Sequence, residues 1–329
     1  MSTNNNPATL NLDDIQGMIT RGYSKLSNTY YFLLQVSDAS KAKEWMKSVI
    51  PLIDSSNVAQ KMDKTLHLAF GHQGLRALGL NEKNLAHFPV PFKEGINTPN
   101  RNRLLGDNHE NNQPKNWLWG KDNDVHILVI LHATEEDIVE FTNTQRDAIN
   151  KSGGLNIIHE LDGYLRADHK EPFGFRDGIS QPQIMGSGRP GAQDNIIATG
   201  EFLLGHKNEH NRYPYSPLIM QEQGDLSLLR DDEAGSGKKD LGYNGTFMVF
   251  RQMEQLVDEF WNFMKEHTKD SNGGIDKEAA KKLAAKCVGR WPNGASLVNY
   301  PDEEPQPKTD IDNHNIPEDH SGLFNDDSF

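Results

Sequence analysis

Apolar positions in the first half of the chain fall into two alternating periods. Tyr30 to Val36 is an unbroken aromatic and aliphatic run, too short for a buried helix and rich in strand formers, so it predicts a strand. Beyond it, with Ser37 or Asp38 as N-cap, Ala42, Trp45, Met46, Val49 and Ile50 recur at three- and four-residue steps. That spacing predicts a helix, which Pro51 stops. Thr65 to Phe70 predicts a second strand, His72 to Gly79 a short helix closed by glycine, and Val125 to Leu131 a third strand. Thr134 with Asp137 gives a capping-box-like start to a helix carrying Ile138, Phe141 and Ile149, ending at Gly153 and Gly154. Asn156 to Arg166 supplies the last strand. Strand, helix, strand, written twice, is the split βαβ or ferredoxin-like plan, an antiparallel sheet with helices on one face. Phe88 to Asp124, rich in Asn, Pro and Gly, is expected to be loop.

The second half opens with the same grammar. Gly200 to Leu204 and Gly245 to Phe250 read as strands, and the latter feeds a helix bearing Met253, Leu256, Val257, Phe260, Trp261, Phe263 and Met264. Another helix, about Asp276 to Cys287, carries Ala280, Leu283, Ala284 and Cys287 on one side. After Tyr300 come nine acidic side chains, one basic one and few apolar anchors, which support no further strand. The expected fold class is therefore α+β, with duplicated ferredoxin-like domains of which the second copy is incomplete. The expected divisions are 1–165, 166–300 and an acidic, loop-like tail over 301–329.

Composition narrows the partners. The 329 residues hold 47 acidic against 34 basic side chains, a formal net charge of −13 that repels phosphate backbones and anionic lipid. Nucleic acid and membrane surfaces are not expected partners. The single Cys287 forms no internal disulfide and no thiolate metal cluster. With no basic and apolar leader pattern at the start and no run long enough to span a bilayer, a soluble, cytoplasmic protein is expected.

Chemistry concentrates in Glu171 to Pro182, which reads Glu-Pro-Phe-Gly-Phe-Arg-Asp-Gly-Ile-Ser-Gln-Pro. Asp177-Gly178 alone is a turn dipeptide. Phe173, Phe175 and Ile179 are expected to bury part of the loop, desolvating Asp177 and raising its pKa toward proton-transfer range. Arg176 would oppose that rise if it pointed inward. Gly174-Phe175-Arg176-Asp177-Gly178, extended by Ile179-Ser180-Gln181-Pro182, resembles the Gly-x-x-Asp-Gly signature of dye-decolourising peroxidases. The opening Asp13, Ile15, Gln16 and Gly17 is similar to that family's N-terminal block. Gly200 to Gly205, Asn244 to Arg251, and Val288 to Pro292 with Gly294 and Ala295 resemble later blocks in the family's order.

The resemblance covers essentially the whole chain. It implies two ferredoxin-like domains of the dimeric α+β barrel type, with haem b (iron protoporphyrin IX) held against the second. It further implies a hydrogen-peroxide-dependent oxidation of dyes or phenols in which Asp177 moves the proton, an arginine assists and a proximal histidine holds iron. Gly174, Phe175, Asp177, Gly178, Ile179, Ser180, Gln181 and Phe202 are the cofactor-contacting residues it implies. The family segment carrying the proximal histidine and distal arginine, roughly Gly-Ala-His-Ile-Arg-Arg, has no counterpart here. The metal ligand is therefore unassigned, Arg251 does not inherit the arginine's role, and the chain reads as cut short of that segment. The reading from a different class is a non-catalytic chain, either a fragment whose missing part another chain supplies or a porphyrin-binding or structural remnant without redox turnover, with a homo-oligomer or a complementing C-terminal segment as the partners it implies.

Other histidines offer little. His206 and His210, four apart, would share a helix face, but their context reads as solvated loop; His314 and His320 lie in the acidic tail. His67 and His126 sit in strand patterns, where hydrogen-bonded structural roles are expected. Gly235-Ser236-Gly237-Lys238 lacks the upstream glycine and following hydroxyl of a phosphate-binding loop, and Gly186 to Gly191 lacks a following helix, so both read as plain loops.

Overall fold

The structure is a computed structural model that describes residues 10–57, 63–122, 124–179, 181–188 and 196–306. The chain divides into two compact units. The first comprises 1–164, 184–187 and 197–248; the second comprises 165–183, 188–196 and 249–329.

In the first unit the expected alternation is present. Strands β1 (Asn28–Val36), β2 (Lys64–Phe70), β3 (Ile127–Ala133) and β4 (Leu155–Tyr164) form one sheet in the order β2-β3-β1-β4, every neighbouring pair antiparallel. Helix α1 (Ala39–Val49) joins β1 to β2, and α3 (Ile138–Ser152) joins β3 to β4, with a short α2 (His72–Ala77) after β2. This is the ferredoxin-like order, in which each crossover leaves room for a strand between the two it connects.

Register follows the side-chain pattern. Phe32 faces Val129 and Tyr30 faces Leu131, while Leu68 and Leu66 face the same two positions from β2. These residues share one sheet face with Leu34 and Ile127, and Ala42, Trp45, Val49 and Ile149 of α1 and α3 close over them. A fully buried side chain of this size stabilises the fold by roughly 1.5–3 kcal/mol. The second of the two candidate N-caps of α1 is the one used: the Asp38 carboxylate accepts from the Ser40 and Lys41 amides at 2.9 and 3.1 Å. Asp137 precedes α3 without capping it through its side chain, and is held by Thr134 Oγ1 at 3.0 Å and Lys64 at 3.0 Å.

Two expectations change. The stretch 88–124 is not plain loop. Proline starts and a Thr98 cap allow short helices over Val90–Glu94 and Pro99–Leu105, and Phe88 is buried against Phe92. The strands expected at 200–204 and 245–250 do not form. Thr199–Glu201 is a 3₁₀ turn, and 245–250 has no ladder partner among the described residues, so its backbone stays outside any sheet.

Polar side chains organise the loops of 197–248. Asn84, fully buried, accepts from the Met220 and Gln221 amides and donates to the Gln221 carbonyl. Buried Asp240 accepts from Ser216 Oγ at 2.5 Å and from the Gly242 amide at 2.8 Å. Each satisfies backbone groups that no ladder reaches.

The second unit is built on a helix pair, α4 (Val257–Glu266) and α5 (Lys277–Val288). Helix α4 starts later than the apolar pattern predicts, which leaves Met253 and Leu256 upstream of it and exposed. Asp276 caps α5 through the Ala279 amide at 2.9 Å. The buried face of α5 is Ala280, Ala284 and Ala285, whereas Cys287, expected on that face, is exposed. No described helix is long and apolar enough to cross a membrane.

Candidate functional site

The segment 169–179 forms a small hairpin in the second unit. Lys170 bridges Arg176, the Glu171 and Phe175 backbones bond at 2.9 Å, and the Asp177 amide donates to the His169 carbonyl at 2.9 Å. Its aromatic residues are buried as expected, but toward the helices. Phe175 joins Met264, Ala284 and Trp291 in the core and stacks on Trp261 at 6.2 Å, while Phe173 meets Phe260 at 4.8 Å. Trp261 Nε1 donates to the Phe173 carbonyl at 3.0 Å.

A second matched block completes the mount. The Arg176 amide donates to the Pro292 carbonyl at 3.1 Å, and the 290–296 turn closes with the Trp291 amide on the Ala295 carbonyl. Gly294 sits in this turn at φ +97, and a Cβ there would stand 2.7 Å from Ile179 Cδ1 and 3.1 Å from Arg176 Cδ. Glycine is what lets the two segments touch.

Asp177 itself is exposed, which corrects the expected desolvation. Strict alternation would put Asp177 on the side of Phe175, but the backbone turns at Gly178, at φ +76, and the carboxylate leaves the core side. Asp177 Oδ1 accepts from the Gly178 amide at 2.7 Å. Gly174 and Gly178 both adopt left-handed backbone with open space at the Cβ position. Gly178 and Gln181 are exposed and Ile179 is half-buried; Ser180 lies outside the described residues. Phe202 belongs to the first unit, where it packs against Leu10, Ile15, Ile184 and Leu203. The structure thus brings Gly174 to Ile179 together with the 290–296 turn.

No iron ligand is found among these residues. Among the described residues no group of three or more His, Cys, Asp or Glu side chains could hold a metal ion. His206 and His210 occupy a turn, not a helix; His206 Nε2 pairs with Asn244 Oδ1 at 2.7 Å and His210 is exposed. His314 and His320 lie outside the described residues. His126 Nδ1 accepts from the Val36 amide at 3.0 Å, the structural role expected of it. A cleft of about 380 Å³ opens in the first unit beside β1, β4 and α3, lined in part by Tyr30, Thr142, Arg146 and Tyr164, and its lining holds no histidine. The 235–238 loop is a closed turn whose Ala234 and Ser236 amides are taken by the Asp232 carboxylate, so they cannot cradle a phosphate.

Sequence reasoning missed a titratable cluster on the other face of the sheet. The Tyr23, His67 and His132 rings form a triangle, Tyr23 lying tilted against His67 and His132 at 5.3 and 4.7 Å, and its hydroxyl donates to Asp54 at 2.5 Å, whose carboxylate also pairs with Arg21. His67 is fully buried with neither ring nitrogen hydrogen-bonded, contrary to the expected satisfied histidine. Burial, then His132 and Arg21, pushes its pKa down to about 3, and burial pushes His132 down to about 4. Strand alternation at 65, 67 and 132 was the available signal: polar residues there occupy the face opposite the helices.

Residues 14–167 match the family model of the DyP dimeric α+β barrel domain. The chain is 30% identical to a dye-decolorizing peroxidase of Mycena epipterygia over 90% of its own length and 51% of that protein. It is 28% identical to one of Exidia glandulosa over 88% of its length and 53% of that protein. Among solved structures, a fungal DyP-type peroxidase from Auricularia auricula-judae superposes with a TM-score of 0.67 at 25% identity, covering 91% of this chain and 60% of that one. The chain spans about half the length of the curated relatives it matches.

Proposed function

We propose that this chain, whose residues 14–167 match the DyP dimeric α+β barrel domain, is a dye-decolourising peroxidase that serves a haem-dependent, hydrogen-peroxide-consuming oxidation of dyes or phenolic compounds, with Asp177 as its acid–base group. The observation that carries the reading is the hairpin presenting the Asp177 carboxylate outward from a rigid aromatic and backbone-bonded base. A carboxylate so mounted can take a proton from peroxide and return it at a fixed position, the part of acid–base catalysis that depends on geometry.

Haem b is the cofactor this reading implies, and it supplies the redox chemistry when bound. The described residues do not enclose it on their own, since Asp177 is exposed, and the iron ligand stays unassigned. The chain's own contribution is therefore the carboxylate and its mount. The exposed Val249, Met253, Leu256 and Phe263 of the same unit favour a second reading, in which a further polypeptide segment covers this unit and completes the site. The single exposed Cys287 supports a reducing, cytoplasmic compartment.

The test is peroxide-driven oxidation of a phenol by haem-loaded protein, with and without the family's downstream segment supplied. Asp177→Asn is expected to slow the reaction by about 10²-fold or more at unchanged haem content. An unchanged rate overturns the assignment.

A further inference from the structure

The Glu171 side chain does more than end the preceding loop. It is half-buried at the base of the hairpin and collects three donors on one carboxylate. Oε1 accepts from the Phe175 amide at 2.9 Å, and Oε2 accepts from the Phe173 amide at 2.9 Å and from Gln255 Nε2 at 2.8 Å. Its own backbone closes the same turn, the amide donating to the Phe175 carbonyl at 2.9 Å and the carbonyl accepting from the Gly174 amide at 2.8 Å. Gly174, at φ +93, is the left-handed residue that the turn needs.

These bonds fix the direction in which Phe175 leaves the turn. That residue is stacked on Trp261 and buried, so the next two residues have one course, along which Arg176 bonds Pro292 and Asp177 bonds His169. Among the described residues, Glu171 is the side-chain acceptor for the two amides at the tip. Bonds from neutral amides to a carboxylate are about twice as strong as neutral pairs, and two amides would be left without an acceptor if it were removed.

We propose that Glu171 is the positioning residue for Asp177, holding the hairpin so that the acid–base carboxylate points in one direction. The proposal rests on the assignment of Asp177 above.

The first measurement uses the full chain without haem. In Glu171→Ala, hydrogen exchange at the Phe173, Phe175 and Asp177 amides is expected to rise at least tenfold while the α5 amides keep their protection. The Asp177 χ1 couplings are expected to average between rotamers. Glu171→Gln, which keeps one accepting oxygen, should free only one of the two tip amides and restore a single Asp177 rotamer. The second measurement is the peroxide reaction of haem-loaded protein. A displacement of about 1 Å can cost on the order of 10²-fold, so Glu171→Ala should approach the loss seen in Asp177→Asn, with Glu171→Gln in between.

A purely structural carboxylate would lower the unfolding midpoint and leave the Asp177 rotamer and amide as they are; that result overturns the proposal. Should Glu171→Ala not fold, Glu171→Gln decides by the same amides, and wild-type protection at both overturns it. A slow Asp177→Asn beside a fully active Glu171→Ala sinks the positioning role and leaves the function standing. A fully active Asp177→Asn removes the acid–base role of Asp177 and with it the positioning role, while the peroxide reaction itself stands.

Discussion

Acid is expected to destabilise the first unit through His67, and replacing that histidine by leucine should remove much of the effect. His67 is fully buried, faces Tyr23 and His132, and lies near Arg21, whose charge is paired with Asp54. Its pKa in the folded chain is pushed down to about 3, against an ordinary value near 6.5. Below about pH 6.5 the unfolded chain therefore binds a proton that the folded chain refuses, so stability falls as pH falls, until the folded histidine itself titrates. The slope is about 1.4 kcal/mol per pH unit for one such group, or about 2 kcal/mol between pH 6.5 and 5. His132, pushed down to about 4, adds a loss of the same sign over the same range. His67→Leu removes one of the two contributions and two buried nitrogens without partners, so it should gain on the order of 1 kcal/mol near neutral pH and roughly halve the slope below it. Urea unfolding followed by far-UV circular dichroism, at several pH values between about 7 and 5 with the denaturant slope held constant, measures both quantities. A wild-type stability that is flat over that range, or a variant with an unchanged slope, refutes the reasoning.

Other outcomes can be checked in the same preparation. Asp177→Asn, at an exposed position, should shift unfolding by less than about 0.5 kcal/mol, so that any loss of peroxide chemistry is chemical; a large shift in urea midpoint would contradict this. Gly294→Ala introduces both left-handed strain and a contact with Ile179, and should cost about 1–3 kcal/mol or more in a thermal melt. Gly174→Ala, in open space, should cost only the backbone preference, about 1–2 kcal/mol, and equal losses at the two sites would be inconsistent with the packing described. Asn84→Ala strips acceptors from two amides and a donor from one carbonyl, and should destabilise by about 2–4 kcal/mol in urea titration. Asp276→Ala removes the cap of α5 and should cost about 1 kcal/mol, read as fraying of the Ala279 amide in hydrogen exchange.

The first domain was legible because its strands and helices advertise themselves by period: Tyr30 to Val36 cannot be read as anything but buried strand, and Ala42, Trp45 and Val49 lie on one helical stripe. Gly245 to Phe250 carries the same local signal and forms no strand, because a ladder needs a neighbour and none of the described residues supplies one. Sequence also identified the Asp177 hairpin and the 290–296 turn as special, but not that they touch, since 110 or so residues separate them and only the third dimension places Gly294 on Ile179. The burial of Asp177 was misjudged for a local reason: neighbouring aromatics dry a loop on the side they face, and here they face α4 and α5. Glu171 gave no signal at all, because a turn-capping carboxylate and a solvated one look alike in sequence.

The irregularity in the pairing of β1 with β4 governs how the sheet tolerates changes in length. Leu33 faces His159 but Leu34 faces Ile157, so Ile158 is a supernumerary residue and the parity of β4 reverses around it. On its far side even-numbered Glu160 and Asp162 lie opposite Phe32 and Tyr30; on its near side odd-numbered Leu155 and Ile157 lie opposite Val36 and Leu34. Deleting Ile158 alone would set His159 and Ile157 as consecutive partners of Leu33 and Leu34 and leave Leu155 and Ile157 on the side of the sheet they already occupy, whereas losing one residue elsewhere in β4 would turn one set of side chains to the opposite face. In-frame loss of a single codon at this point should thus be far less damaging than the same loss elsewhere in the strand.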